Sequence, residues 1–396
     1  MSQQPIARSP DLQRLRNEGY DILIVAGFLI MKSVPYLTAD GKVAWGVLIS
    51  NLEVANDATV QPQNHTTYLD GEFPHHADGR RIEEIYAGET SLVVSETITG
   101  RHYLSAKPQP SLRYSDYFHK MTTYAEILGV GARSVDPSVT AQNFAVVHPD
   151  EKDSVFHYQD TASSRAEITE VTRKLRLNKV SIVGLGGTGS YVLDLVAKTP
   201  VREIHLFDGD VFLQHNAFRT PGAASGEELE RKQSKVSYLQ GIYSKMRKGI
   251  VPHPENMTDQ HLHLLEGMEF VFVCMEGTGK RPIIAKLEAE NIPYVDVGMG
   301  LYLANGSLGG LVRTTTSTPA RRGHVHNLGR IPFAQADEKN EYDKNIQIAE
   351  LNALNAAFAV IRWKKLFGFY LDQEKEHHST YSIGGNEVTN EDSEER

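Results

Sequence analysis

Residues 179–190 read KVSIVGLGGTGS. The run Lys179–Val183 is short, apolar and rich in β-branched residues, and it stops at a glycine. A run of that kind is a strand buried on both faces. The residues after it, Gly189–Lys198, have the composition of a helix. Four glycines fill the join. Gly184 lets the chain leave the strand sharply, and Gly186 and Gly187 leave backbone N–H groups open to an anion with no Cβ in the way. Gly189 opens the helix, whose unpaired N–H groups and dipole favour negative charge. Such a loop alone is a weak signal, since a tight turn with no ligand uses the same residues. Set between a strand and a helix, it predicts a nucleotide phosphate site at Gly184, Gly186, Gly187, Thr188 and Gly189.

Downstream, strands are expected at Glu203–Asp208, Ile250–His253, Glu269–Met275 and Tyr294–Val297, with a long helix near Glu227–Met246. Ile348, Leu351, Leu354, Phe358 and Ile361 repeat at helical spacing within Ile346–Phe367, which predicts a helix with one buried face. Strands alternating with helices predict an α/β, Rossmann-like, mostly parallel sheet over about residues 155–370. The first part of the chain differs. FLIMKSVPYL, KVAWGVLISNLEVA and HTTYLDGEF are β-rich runs punctuated by Asp-Gly turns, and YSDYFHKMTTYAEILGVGA is helical. The expected organisation is therefore a smaller α+β domain over 1–150, the nucleotide domain over 151–380, and an acidic, glycine-led, disordered tail over 381–396.

The net charge of −9 gives the chain no electrostatic footprint for nucleic acid or an anionic membrane, so neither is expected as a partner. Its one cysteine, Cys274, rules out a disulfide within the chain. With no Cys-x-x-Cys pair, zinc is not expected. The longest apolar run near the start, Ile22–Met31, is too short to span a bilayer, and no signal peptide is evident. A cytoplasmic location is the expectation.

The strand after the glycine loop ends at Asp208, where a carboxylate can accept hydrogen bonds from ribose hydroxyls. Glycines and Asp208 alone fit NAD as well as ATP. The stretch DGDVFLQHNAFRTPG, Asp208–Gly222, followed by Lys235, separates them. Together with Gly184–Ser190 it resembles the ThiF/MoeB-type adenylyltransferases of the ubiquitin-activating-enzyme superfamily, over about half the chain. The resemblance implies ATP, with Asp208 on the ribose, Arg219 and Lys235 on the triphosphate, and Asp210 and Asn216 helping to position them. It further implies activation of a C-terminal carboxylate on a ubiquitin-like or sulfur-carrier-like protein, and a homodimer in which Arg165 reaches the partner's ATP. Family members bind magnesium through an Asp after the fourth strand. Here Glu276 stands at that place, and glutamate is also a hard oxygen ligand for Mg2+.

Two departures matter. Cys274 lies in an apolar run, FVFVC, where cysteine is an inert small hydrophobe rather than a thioester-forming nucleophile. The N-terminal domain, of unknown function, has no cysteine, and partner recognition is its expected role. Two rival readings stay open on sequence: an NAD-binding oxidoreductase, and a non-catalytic nucleotide-binding module.

Overall fold

A computed structural model describes residues 6–390 apart from 7, 57, 148–153, 167, 278 and 334–345. The chain divides into two compact units, Met1–Lys152 with Tyr158–Ala166, and Asp153–His157 with Glu167–Arg396.

The first unit is α+β. Helix α1 (Pro10–Asn17) leads into β1 (Ile22–Val25), β2 (Phe28–Leu37), β3 (Val43–Asn51), a short hairpin of β4 (Val54–Ala55) and β5 (Ala58–Thr59), β6 (Thr66–Asp70), β7 (Tyr86–Ser95) and β8 (Ile98–Ser105). Six of these strands form an antiparallel sheet ordered β1-β2-β3-β6-β8-β7. Alternation along β2 explains its two faces. Leu29 and Met31 enter one core with Leu48, Leu69 and Leu104, while Ile30 enters a smaller cluster with Ile49 and Ile98. Helix α2 (Tyr117–Val135), capped by Asp116 at the His119 N–H, lays Met121, Tyr124 and Leu128 on the larger core. Lys120, on the same helix, is 1% exposed. Its Nζ donates to Ser50 Oγ at 2.9 Å and the Asn64 carbonyl at 2.8 Å. Burial lowers this amine to about 8. The short helix α3 (Thr161–Arg165) ends the unit.

The second unit opens with α4 (Thr169–Arg173) and β9 (Lys179–Val183), followed by α5 (Gly187–Val196), β10 (Glu203–Phe207), α6 (Gln214–Ala217), α7 (Gly226–Glu230), α8 (Lys235–Tyr243) and β11 (Ile250–His253). Next come β12 (Phe270–Val273), α9 (Lys280–Ala289), β13 (Tyr294–Ala304), β14 (Ser307–Ser317), α10 (Gly323–Asn327), α11 (Ala349–Leu366), β15 (His378–Ser382) and β16 (Glu387–Asn390). The sheet order is β11-β10-β9-β12-β13-β14-β15-β16. Pairing is parallel from β11 to β13 and antiparallel beyond. This is the mostly parallel, Rossmann-like α/β fold that the sequence pattern predicts. The chain builds outward from β9 through β10 to β11, then returns to the other side of β9 as β12. That reversal leaves a crevice at the carboxyl ends of β9 and β12, where open α/β sheets bind their ligands.

Several elements differ from the sequence expectation. The helix expected over Glu227–Met246 is two helices. Lys232 takes a left-handed φ of 48°, and Ser234 caps α8 by accepting from the Ser237 N–H at 3.3 Å. The break lets the Lys235 N–H donate to the Asp210 carbonyl at 2.9 Å. Strand β13 runs seven residues past Val297, because antiparallel pairing with β14 carries it from Tyr294 to Ala304 through two glycines that read as a strand end. The tail expected to be disordered from residue 381 instead enters the sheet, with β15 paired to β14 and β16 paired to β15; residues 391–396 lie outside the described ones. Among the described residues no helix is long and apolar enough to cross a membrane.

Candidate functional site

The crevice begins where β9 ends. The Gly184 N–H donates to the Phe207 carbonyl of β10 at 2.8 Å, and the Cys274 N–H to the Val183 carbonyl at 2.7 Å, so the loops after β9, β10 and β12 are tied at one level. Gly184 has φ +90°, and a Cβ there would stand 2.8 Å from the Cys274 carbonyl oxygen. A Cβ on Gly189 would stand 1.8 Å from the Gly184 carbonyl oxygen. These two glycines are demanded by the turn itself. Gly186, the N-cap of α5, differs: a Cβ there meets nothing within 4 Å. It borders open space at a helix N-terminus, as a phosphate cradle requires.

Gly187 departs from the sequence reading. Its missing Cβ makes room for protein, since a Cβ there would stand 2.0 Å from Asn352 Nδ2. Asn352, on α11, is fully buried and accepts from Thr188 Oγ1 at 2.9 Å. Sequence reasoning missed this residue. The apolar pattern pointed to the wrong face: α11 buries Asn352, Asn355, Ala356, Ala359 and Trp363, whereas Ile348, Leu351, Leu354 and Phe358 of the expected stripe are only partly buried and Ile361 is 42% exposed.

Asp208 extends β10 into the crevice. Its Oδ2 accepts from the Leu185 N–H at 2.7 Å and its Oδ1 from the Asp210 N–H at 2.9 Å. The carboxylate therefore braces the glycine loop. Lys235 Nζ stands 2.6 Å from Asp210 Oδ2 and 3.4 Å from Asp208 Oδ1. The lysine side chain is 7% exposed, whereas that of Asp210 is 68% exposed. Asn216 is buried, and its Oδ1 accepts from the Leu213 N–H at 2.8 Å. Arg219 follows one turn later and is half-buried. Among the described residues, Asn216 Nδ2 and Arg219 Nε are buried with no acceptor. Buried donors left unsatisfied are costly. Two of them on one short loop suit an acceptor-rich group such as a phosphate.

Glu276 is exposed in the loop after β12, with Oε1 accepting from Gln347 Nε2 at 3.2 Å. Among the described residues, no group of three or more His, Cys, Asp or Glu side chains gathers to hold a metal. Cys274 follows β12, which ends two positions before the expected end at Met275 and so leaves the cysteine just outside the strand. Burial, with the nearby Asp296 carboxylate, pushes its thiol well above the usual range, so it holds its proton at neutral pH. Asp296 is fully buried between Lys280 Nζ at 2.8 Å and an Arg313 guanidinium nitrogen at 2.5 Å, an ion cluster that joins α9, β13 and β14. Arg165 is exposed at the end of α3 and belongs to the first unit, whereas Arg219 and Lys235 belong to the second. The first unit also carries an open cleft of about 370 Å3 beside Asp11, Arg14 and Phe118. There Asp11 is engaged structurally, accepting from Thr59 Oγ1 at 2.6 Å and the Tyr117 N–H at 3.0 Å.

Residues 10–161 match a domain of unknown function, DUF6791, and residues 159–370 match the ThiF family. No curated protein matches the chain. Among solved structures, PaaA is 15% identical, with 56% of this chain and 75% of that chain covered and a TM-score of 0.44. E. coli MccB with AMPCPP and MccA is 18% identical, covering 59% and 71% with a TM-score of 0.45. The microcin C7 biosynthetic enzyme MccB with N-formylated MccA is also 18% identical, covering 58% and 70% with a TM-score of 0.46. The ThiF match spans more than half of the residues, and the chain therefore belongs to the ThiF family of adenylyltransferase-type enzymes.

Proposed function

We propose that the second unit uses ATP to adenylylate the C-terminal carboxylate of a ubiquitin-like or sulfur-carrier-like protein. The observation that carries this reading is the pair of orphaned donors, Asn216 Nδ2 and Arg219 Nε, on a loop beside the open N-terminus of α5. A carboxylate oxygen attacks the α-phosphorus of ATP, the bond to the bridging oxygen breaks, and pyrophosphate leaves. Negative charge gathers on phosphate oxygens in the transition state, so the site needs fixed cations and N–H dipoles more than acid–base groups. Arg219 and Lys235 supply the cations, and the backbone at Gly186 supplies dipoles. Lys235 exchanges its contact with the exposed Asp210 for phosphate. Asp208 takes the ribose while bracing the loop, and Asn216 orients the donors. Glu276 is the side chain that would hold magnesium, which needs few carboxylates because phosphate and water fill its other positions. The protonated Cys274 fits a family member that stops at the adenylate. Arg165 is assigned to the partner's site in a homodimer.

Calorimetry with ATP, AMP and NAD, with and without a divalent chelator, tests the nucleotide. Pyrophosphate–ATP exchange, run with and without a candidate protein ending in Gly-Gly, tests the substrate. Tighter binding of NAD than of ATP would favour an oxidoreductase. ATP binding with no exchange for any candidate would leave a nucleotide-binding module.

A further inference from the structure

Asn352 is fully buried, lies at the start of α11, and touches two loops of the crevice at once. Its Oδ1 accepts from Thr188 Oγ1 at 2.9 Å, and its Nδ2 points at the Arg219 carbonyl at 3.5 Å. Its carboxamide fills the space that Gly187 leaves free. One side chain thus meets the phosphate loop through Gly187 and Thr188, and the loop of orphaned donors through the Arg219 backbone. Asn355, one turn further along α11, is equally buried, yet its Nδ2 donates to the Gly298 carbonyl at 3.0 Å and its Oδ1 faces Thr314. The two asparagines are alike in burial and helix, and differ in what they hold.

We infer that Asn352 is a positioning residue for the nucleotide site, setting the phosphate loop and the Arg219 loop in register with one another. This rests on the ATP reading given above. The physical reason is geometric. Transition-state stabilisation needs donors placed to within a fraction of an ångström, and a displacement of about 1 Å costs on the order of a hundredfold in rate. The first turn of α5 and the Arg219 loop come from separate crossovers of the sheet, so strand pairing alone does not fix one against the other. A buried amide offers one acceptor and one donor at a fixed spacing, which an apolar side chain of equal size cannot do.

The test compares Asn352→Ala, Asn352→Asp and Asn355→Ala in the full chain. Asn352→Asp is isosteric; it keeps an acceptor for Thr188 and turns an oxygen toward the Arg219 carbonyl, so it carries the test if Asn352→Ala does not fold. Each variant is measured for melting temperature, ATP Kd and the kcat of pyrophosphate exchange. Both Asn352 variants are expected to lower kcat at least about tenfold, by more than they raise the ATP Kd. Asn355→Ala is expected to lower the melting temperature while keeping kcat within about twofold, because its partners lie off the two loops. Thr188→Val, which removes only the hydroxyl, should lower kcat in the same direction and add little to Asn352→Ala. If the Asn352 variants melt lower but keep wild-type kcat and Kd, α11 merely packs there and the inference falls. If the wild-type chain binds no nucleotide, the ATP reading fails and this inference with it; wild-type binding with indifferent Asn352 variants overturns the inference alone.

Discussion

Gly186 and Gly187 are neighbours in sequence, yet methyl groups added to them should act on different properties. At Gly186, φ is −70°, a value open to any residue, and an added Cβ meets nothing within 4 Å. The fold should scarcely notice Gly186→Ala. Loss of chain entropy from the unfolded state favours alanine by about 0.4–1 kcal/mol. The preference for glycine over alanine at an N-cap opposes that by a similar amount. The net change should stay within about 1 kcal/mol, or roughly 2–4 °C in a unit of this size. The methyl would nevertheless occupy the space assigned to phosphate, so ATP affinity should drop at least about tenfold, or roughly 1.4 kcal/mol. At Gly187 the added Cβ would stand 2.0 Å from Nδ2 and 2.4 Å from Cγ of Asn352. That asparagine is fully buried and cannot swing away. Overpacking of this kind costs about 1–3 kcal/mol, and Gly187→Ala should lose stability first. Thermal melts with and without ATP, beside calorimetry, separate the two. Gly186→Ala binding ATP like the wild type would refute the cradle, and Gly187→Ala melting like the wild type would refute the wedge.

Lys235→Ala or Arg219→Ala should slow pyrophosphate exchange at saturating ATP by about 10²–10³, the roughly 3–4 kcal/mol that one preorganised donor supplies, while raising the ATP Kd less; a raised Kd with the saturated rate unchanged would mean ground-state binding only. Cys274→Ala should leave exchange intact and cost on the order of 1 kcal/mol in stability, and a thiol-sensitive adduct with the substrate protein that vanishes in this variant would contradict that. An Arg165→Ala subunit mixed with an Arg219→Ala subunit should recover partial activity if Arg165 acts across a dimer, since one composite site then keeps both arginines. Verified heterodimers at background activity would rule that arrangement out. Lys120 makes the first unit sensitive to pH. Its folded value of about 8 lies below the unfolded value of 10.5, so between them the unfolded chain holds a proton that the folded one lacks. Stability there rises with pH, until tyrosines such as Tyr117, pushed up to about 12, reverse the trend above 10. Hydrogen exchange of the α2 amides should slow from pH 8 to 10 after correction for intrinsic rates, and Lys120→Met should flatten that slope.

The glycine loop, its strand and its helix were readable because each constraint is local. Lys179–Val183 forms β9 over the residues expected, and the turn glycines 184 and 189 are dictated by atoms a few bonds away or directly across the sheet. Asp208, Asn216, Arg219 and Lys235 were legible as a spacing, and the structure brings them to the same end of the sheet. Their bonding was not legible. A pattern cannot say that Asp208 spends both oxygens on loop N–H groups, or that Lys235 meets two carboxylates at once. Two hairpins also escaped, one of them turning at Asn305-Gly306 and the other over residues 383–386. β13 outruns its glycines only because β14 pairs along its whole length, and residues 387–390 become a strand only because β15 offers an edge. Residues 387–390 lack the apolar alternation that marks a strand on its own and gain order from a neighbour, whereas Met299, Leu301 and Leu303 do alternate and were masked by Gly298 and Gly300.

Asn352 shows where motif reading stops for a physical reason. The loop motif records which positions tolerate no side chain, but not what fills the space each glycine leaves. At Gly186 it is open crevice; at Gly187 it is an amide from a helix more than 160 positions further along the chain. Both glycines look alike in sequence because both exclude a Cβ, although one exclusion serves a ligand and the other serves packing. The two orphaned donors carry the complementary information. Burying Asn216 Nδ2 and Arg219 Nε without acceptors costs stability, as it does at other described positions such as Trp363 Nε1, but these two lie in the segment that Asn352 links to the glycine loop. An incoming group rich in acceptors removes that penalty at the moment it binds. On the ATP reading proposed above, the unpaired donors beside an open glycine would bear on nucleotide chemistry more directly than the glycines do by themselves.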